Sequence, residues 1–223
     1  MSATDRQPLI DNRSGRKRVS LRDRVFRLSV PVLLSSLFQR LVSIVDIFLV
    51  GGLGAAAIAA TGLGQLLVFV VMTVFWGLAT GTTVVIAHLW GAGRHQEARR
   101  AAFTACVACV AMTLAASLLG YFLGPRLAAF LGAKDEVLRL GDGYIRLVFL
   151  CLAFTTGLNI LSALMHGIGN TRTPMIGVIL VNILHVVIAY PLIYGKFGAP
   201  ACGVTGAAYA INASELIGCL YLL

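Results

Sequence analysis

Three acidic or basic side chains stand where lipid-like residues surround them, and each type can carry a proton or bind an ion. Asp46 falls inside Val45-Asp46-Ile47-Phe48-Leu49-Val50, His185 inside Asn182-Ile-Leu-His185-Val-Val, and Glu215 follows Asn212 by three residues near the end of the chain. An Asp at the centre of a membrane helix costs roughly 2.5–3.5 kcal/mol on the insertion scale, so such a residue marks an ion, proton or substrate site facing a cavity or the bundle interior. At 3.6 residues per turn, Gln39, Ser43 and Asp46 share one stripe, and Asn182 and His185 share another. If the stripes face each other, Asp46 and His185 form a titrating pair whose two protonation steps are coupled. Glu215 is a second candidate protonation site or a partner for an Arg. Arg40, about 120° around the helix from Asp46, either lines the same cavity or neutralises Glu215 or another carboxylate.

The elements that must position these residues are membrane helices. Of 223 residues, 58% are hydrophobic and 12% charged, and the mean hydropathy is +0.88. Soluble domains average about 25% charged residues. Apolar runs long enough to span, about 20 residues each, occur six times, at 28–50, 59–89, 101–123, 143–166, 175–195 and 204–223. Their length and lack of alternation give helices, not barrel strands. The expected architecture is all-α, with a basic tail at 1–26 and one six-helix unit at 27–223. The basic tail leads into a full span with no small-residue cleavage site, so no signal peptide is expected. A short interfacial helix from Leu21 would bring Arg22, Arg24 and Arg27 to anionic headgroups.

The net charge of +9 is spread unevenly. Eight of the eighteen basic residues lie in the first 27 positions, Arg94, Arg99 and Arg100 between spans two and three, and Arg172 between spans four and five. The opposite loops hold Arg126, Lys134, Arg139 and Lys196. Twelve against four places the N-terminus in the cytoplasm of a multi-pass inner (plasma) membrane protein. Nucleic acid is excluded as a partner, because that role needs the charges on one soluble face with aromatic platforms.

Other motifs read as packing. Cys106-Val-Ala-Cys109 has redox spacing but falls mid-span without a His or Asp nearby, so a structural role is expected. Gly51-Gly52-Leu53-Gly54 and Gly167-Ile168-Gly169 follow no strand and precede no Gly-Lys-Ser/Thr. Gly77-x-x-x-Gly81 is expected to admit a neighbouring backbone. No hydrolase motif occurs, so no enzyme activity, cofactor or metal is expected. Pro31 lies fifteen residues before Asp46; inside the helix it frees a carbonyl and permits bending, and at the helix start it is simply tolerated.

Several segments carry a family resemblance. They are Val45-Asp46-Ile-Phe-Leu-Val50-Gly51-Gly-Leu53-Gly54; Gly81-Thr-Thr-Val-Val-Ile-Ala-His88-Leu-Trp90-Gly91-Ala92-Gly93-Arg94; Gly167-Ile-Gly169-Asn170-Thr171-Arg172-Thr173-Pro174; and Gly203-Val-Thr-Gly206-Ala-Ala. Over about residues 25–223 the chain resembles the first six-helix lobe of the multidrug and toxic compound extrusion (MATE) transporters. The resemblance implies a twelve-helix, two-lobe protein exporting amphipathic, often cationic compounds against an inward proton or sodium gradient, the partner being a C-terminal lobe or a second half-chain. It also implies that Asp46 handles the coupling cation and that the first helix bends at Pro31. In the family a helix-one Asp works with an Asn and an Asp on helix five and a Thr on helix six. Here His185 stands at the Asn, Ala189 at the Asp and Ile211 at the Thr. With three of four ligands missing, a proton is expected rather than sodium. Gln39, Arg40, Ser43, Asn182, Asn212 and Glu215 are the expected cavity-lining set. A lipid-linked precursor flippase of the same wider fold and a non-transporting membrane fragment are the alternatives.

Overall fold

The computed structural model describes residues 21–198 and 200–223, and all its regular elements among these are helices. They are α1 (Leu21–Gly51), α2 (Ala55–Gly91), α3 (His95–Phe130), α4 (Asp135–Leu150), α5 (Leu152–Gly167), α6 (Arg172–Tyr194) and α7 (Val204–Leu222). The tail before Leu21 lies outside the described residues. From Leu21 the chain is continuous with α1, so the helix expected to lie separately in the interface is the first turns of the spanning helix. Pro31 is accordingly in the interior of α1, not at its start.

Among the described residues, four helices are long and apolar enough to cross a membrane: α2, α3, α6 and α1 from Leu33 onward. A fifth crossing is the α4–α5 pair, bent by 43° at Cys151. The fourth predicted span is thus longer than its apolar run and broken in the middle. At the break the Cys151 N–H still donates to the Leu147 carbonyl and Phe154 N–H to the Cys151 carbonyl, so the bend leaves those groups satisfied. This matters because an unpaired backbone group in hydrocarbon costs several kcal/mol. The sixth rod, α7, carries Asn212 and Glu215 and is too polar to pass on composition alone. At 1.5 Å per residue, α2 and α3 are each about 54–56 Å long, well beyond a hydrocarbon core of about 30 Å. Their ends therefore stand in the polar interface, where Arg94 pairs with Glu97 in the α2–α3 turn. That exposed contact raises the Arg94 guanidinium pKa, through the hydrogen bond first and the charge of Glu97 second.

Packing follows small residues. Gly206 of α7 lies against the backbone of α6, where an added Cβ would sit 2.5 Å from the Leu192 carbonyl oxygen. Such contact lets backbones approach closely. Gly77 and Gly81 do not behave as expected: an added Cβ at either meets nothing within 4 Å, and both line a groove between α2 and α3. The core centres on Tyr144, Ile145, Phe149 and Leu152 at the α4–α5 junction, with Met72 and Phe75 of α2. Thr113 of α3 and Thr156 of α5 share a hydrogen bond of 2.8 Å inside it. Cys109 packs beside them, and all five cysteines are free.

Candidate functional site

α1 and α6 run parallel, and two polar contacts fix their register. His185 Nε2 lies 2.7 Å from Asp46 Oδ1, the two side chains 6% and 24% exposed. Further along, the Tyr194 hydroxyl donates to the Leu49 carbonyl at 2.7 Å. The backbone passes over that carbonyl, because Gly52 N–H bonds Phe48 and Leu53 N–H bonds Val50. Tyr194 therefore caps the end of α1. Gly52 makes room for it: a Cβ there would overlap the Tyr194 hydroxyl.

The Asp46–His185 pair lines a small cleft of about 240 Å³ with Gln39, Ser43, Asn182, Ile211 and Glu215. His185 is buried, and its Nδ1 has no hydrogen-bond partner. An imidazole proton on Nε2, donated to Asp46, leaves Nδ1 as a bare lone pair. A proton on Nδ1 would instead bury an unpaired N–H, which costs more. Gln39, Asn182 and Glu215 also border a second, larger cleft of about 520 Å³, bounded by α1, α2, α5, α6 and α7. Trp76 and Met72 of α2, Met175 of α6 and Leu158 of α5 give it apolar walls, and Thr83, Asn159 and His166 give it polar ones. Glu215 stands between the two clefts, its Oε2 accepting from the Thr155 hydroxyl at 2.5 Å.

Most of the residues singled out in the sequence meet here: Asp46, His185, Gln39, Ser43, Asn182 and Glu215. Ile211 also lines the small cleft, and Ala189 is buried. Two residues of the expected set lie elsewhere. Arg40 is exposed, borders neither cleft and makes no ion pair with Glu215 among the described residues. Asn212 is buried behind the cleft wall with its Nδ2 unpartnered, and lines neither. Sequence reasoning also missed the α5 wall. Thr155, Asn159, Ser162 and His166 recur at helical spacing, and that polar stripe inside an apolar run was the available signal.

A family model described as MatE matches residues 31–191. The chain belongs to the MatE family. Among relatives, a probable multidrug resistance protein NorM of Thermotoga maritima is 29% identical over 89% of this chain and 43% of its own length. A multidrug resistance protein NorM of Burkholderia vietnamiensis is 33% identical over 82% of this chain and 40% of its own. Among solved structures, the outward-facing conformation of a multidrug resistance MATE family transporter superposes with a TM-score of 0.83 at 26% identity, over 90% of this chain and 44% of that one. A MATE in its bent and in its straight conformation each superposes with a TM-score of 0.82 at 25% identity, again over 90% of this chain and 44% of that one. The chain thus spans less than half the length of the curated relatives it matches. It is an integral, multi-pass membrane protein carrying one lobe, of roughly six helices, of a MATE transporter.

Proposed function

We propose that this lobe couples export of amphipathic, often cationic compounds to proton entry, with Asp46 carrying the proton and His185 holding it in register. The observation that supports the reading is the 2.7 Å contact between Asp46 and His185 at the edge of a polar cleft. Substrate export comes from the kinship with multidrug resistance proteins; the coupling ion comes from the donor set. A sodium ion needs several oxygen ligands, and His185, Ala189 and Ile211 stand where the family supplies them. A proton needs one acceptor. An imidazolium would bury an Nδ1–H without an acceptor, so an arriving proton rests on Asp46.

Proton arrival then changes how firmly α1 is held. A hydrogen bond to a charged group contributes about 1.5–3 kcal/mol and a neutral one about 0.5–1.5 kcal/mol. Neutralising Asp46 weakens the α1–α6 contact by the difference, while Tyr194 keeps the far end capped. Pro31 removes one backbone hydrogen bond from α1 and gives the loosened helix a place to bend. The excess of basic residues at the α1 N-terminus and in the α2–α3 and α5–α6 turns supports a cytoplasmic N-terminus in the inner membrane.

The test uses the protein as its gene encodes it, in proteoliposomes loaded with ethidium. An imposed pH gradient is expected to drive ethidium transport, and Asp46→Asn to reduce it at least about tenfold. A sodium gradient alone is expected to drive none. Unchanged pH-driven transport by Asp46→Asn, or transport driven by sodium alone, would refute the reading.

A further inference from the structure

Glu215 is placed to do something that the Asp46–His185 pair does not. It belongs to both clefts, and among the described residues lining the larger one it is the sole carboxylate, with no Lys or Arg beside it. Its Oε2 accepts from Thr155, and its Oε1 receives no hydrogen bond from the described residues. One hydroxyl is thin support for a half-buried carboxylate, since such a group is stable in apolar surroundings only when paired or well hydrogen-bonded. The rest of the cleft suits a flat, greasy cation. Trp76 offers an indole face, Met72 and Met175 offer polarisable thioethers, and the volume of about 520 Å³ falls in the range of drug-sized sites.

We propose that Glu215 is the specificity-determining residue of the larger cleft, binding the positive charge of a lipophilic cation through Oε1 while Thr155 orients the carboxylate through Oε2. The inference rests on the transport reading above, and adds to it where the charge of the cargo is read. Export and proton carriage then use different carboxylates in adjoining clefts, with Gln39 and Asn182 forming the shared wall. A neutral molecule of the same shape lacks the charge for Glu215 to bind and has only the remaining walls. Loss of one charge-assisted contact corresponds to an affinity change of roughly 10- to 100-fold.

The test measures binding of tetraphenylphosphonium and of neutral triphenylphosphine oxide to the protein as its gene encodes it, in lipid nanodiscs. Glu215→Gln is expected to weaken the phosphonium roughly 10- to 100-fold and leave the phosphine oxide unchanged; Glu215→Asp is expected to retain part of the preference. On the unsubstituted protein, saturating phosphonium is expected to protect Glu215 from dicyclohexylcarbodiimide. Equal loss of both ligands, unchanged phosphonium binding, or undiminished labelling of Glu215 would overturn the proposal. Asp46→Asn in the same titration separates the two readings. If it binds the phosphonium normally and still transports under a pH gradient, proton carriage by Asp46 fails and the cation site stands. If pH-driven transport depends on Asp46 while Glu215→Gln binds normally, the reverse holds.

Discussion

Substituting Gly52 by Ala is a small change whose cost can be worked out from the atoms around it. The new Cβ would overlap the Tyr194 hydroxyl oxygen, and the ring carbon bearing that oxygen is 3.2 Å away. Tyr194 must swing aside, and the Leu49 carbonyl loses the Tyr194 hydroxyl as a donor. Overpacking of this kind costs about 1–3 kcal/mol, and the lost hydrogen bond about 0.5–1.5 kcal/mol. Gly52→Ala is therefore expected to destabilise by about 2–4 kcal/mol, a fall in melting temperature of roughly 5–15 °C for a chain of this size. Tyr194→Phe alone loses only the hydrogen bond, about 1 kcal/mol. In the double variant no hydroxyl remains to collide, so the loss should fall short of the sum of the single losses by at least about 1 kcal/mol. Thermal unfolding in detergent, followed by a thiol-reactive dye on the five free cysteines, measures all three. Strictly additive losses, or a Gly52→Ala variant as stable as the parent, would refute the capping argument.

Gly206→Ala is expected to cost more than Gly52→Ala, because its Cβ meets the Leu192 backbone and not a side chain that can turn. Gly81→Ala meets nothing and is expected to be neutral or to stabilise by up to about 1 kcal/mol through helix propensity; the same melting assay compares them. Thr156→Val should destabilise by about 0.5–1.5 kcal/mol by removing the Thr113–Thr156 hydrogen bond, the Thr113 hydroxyl keeping its bond to the Cys109 carbonyl, while Thr113→Val with Thr156→Val should cost less than the two single losses summed.

The spans were legible because lipid demands long apolar runs, and those runs need no partner to be recognised. The break at Cys151 was not, because Leu150-Cys151-Leu152 holds neither Gly nor Pro to signal it. The pairing of Asp46 with His185 was readable as two stripes that match in type. What sequence lacked was their rotation: Arg40, one turn from polar neighbours on α1, points away from both clefts. Gly77 and Gly81 show the same gap, since a spacing that permits close contact does not say that a neighbour is there.

α1 also sets an energy scale for movement. Of the stretch Leu33–Gly51, only 6% is buried against the rest of the chain, and most of its large Leu, Ile and Phe side chains are exposed. Two polar contacts hold it to α6, the Asp46–His185 contact and the Tyr194 cap, together about 2–4.5 kcal/mol. Loss of the charge on Asp46 would lower the first of these by about 1–1.5 kcal/mol. α6 and α7, by contrast, meet backbone to backbone at Gly206.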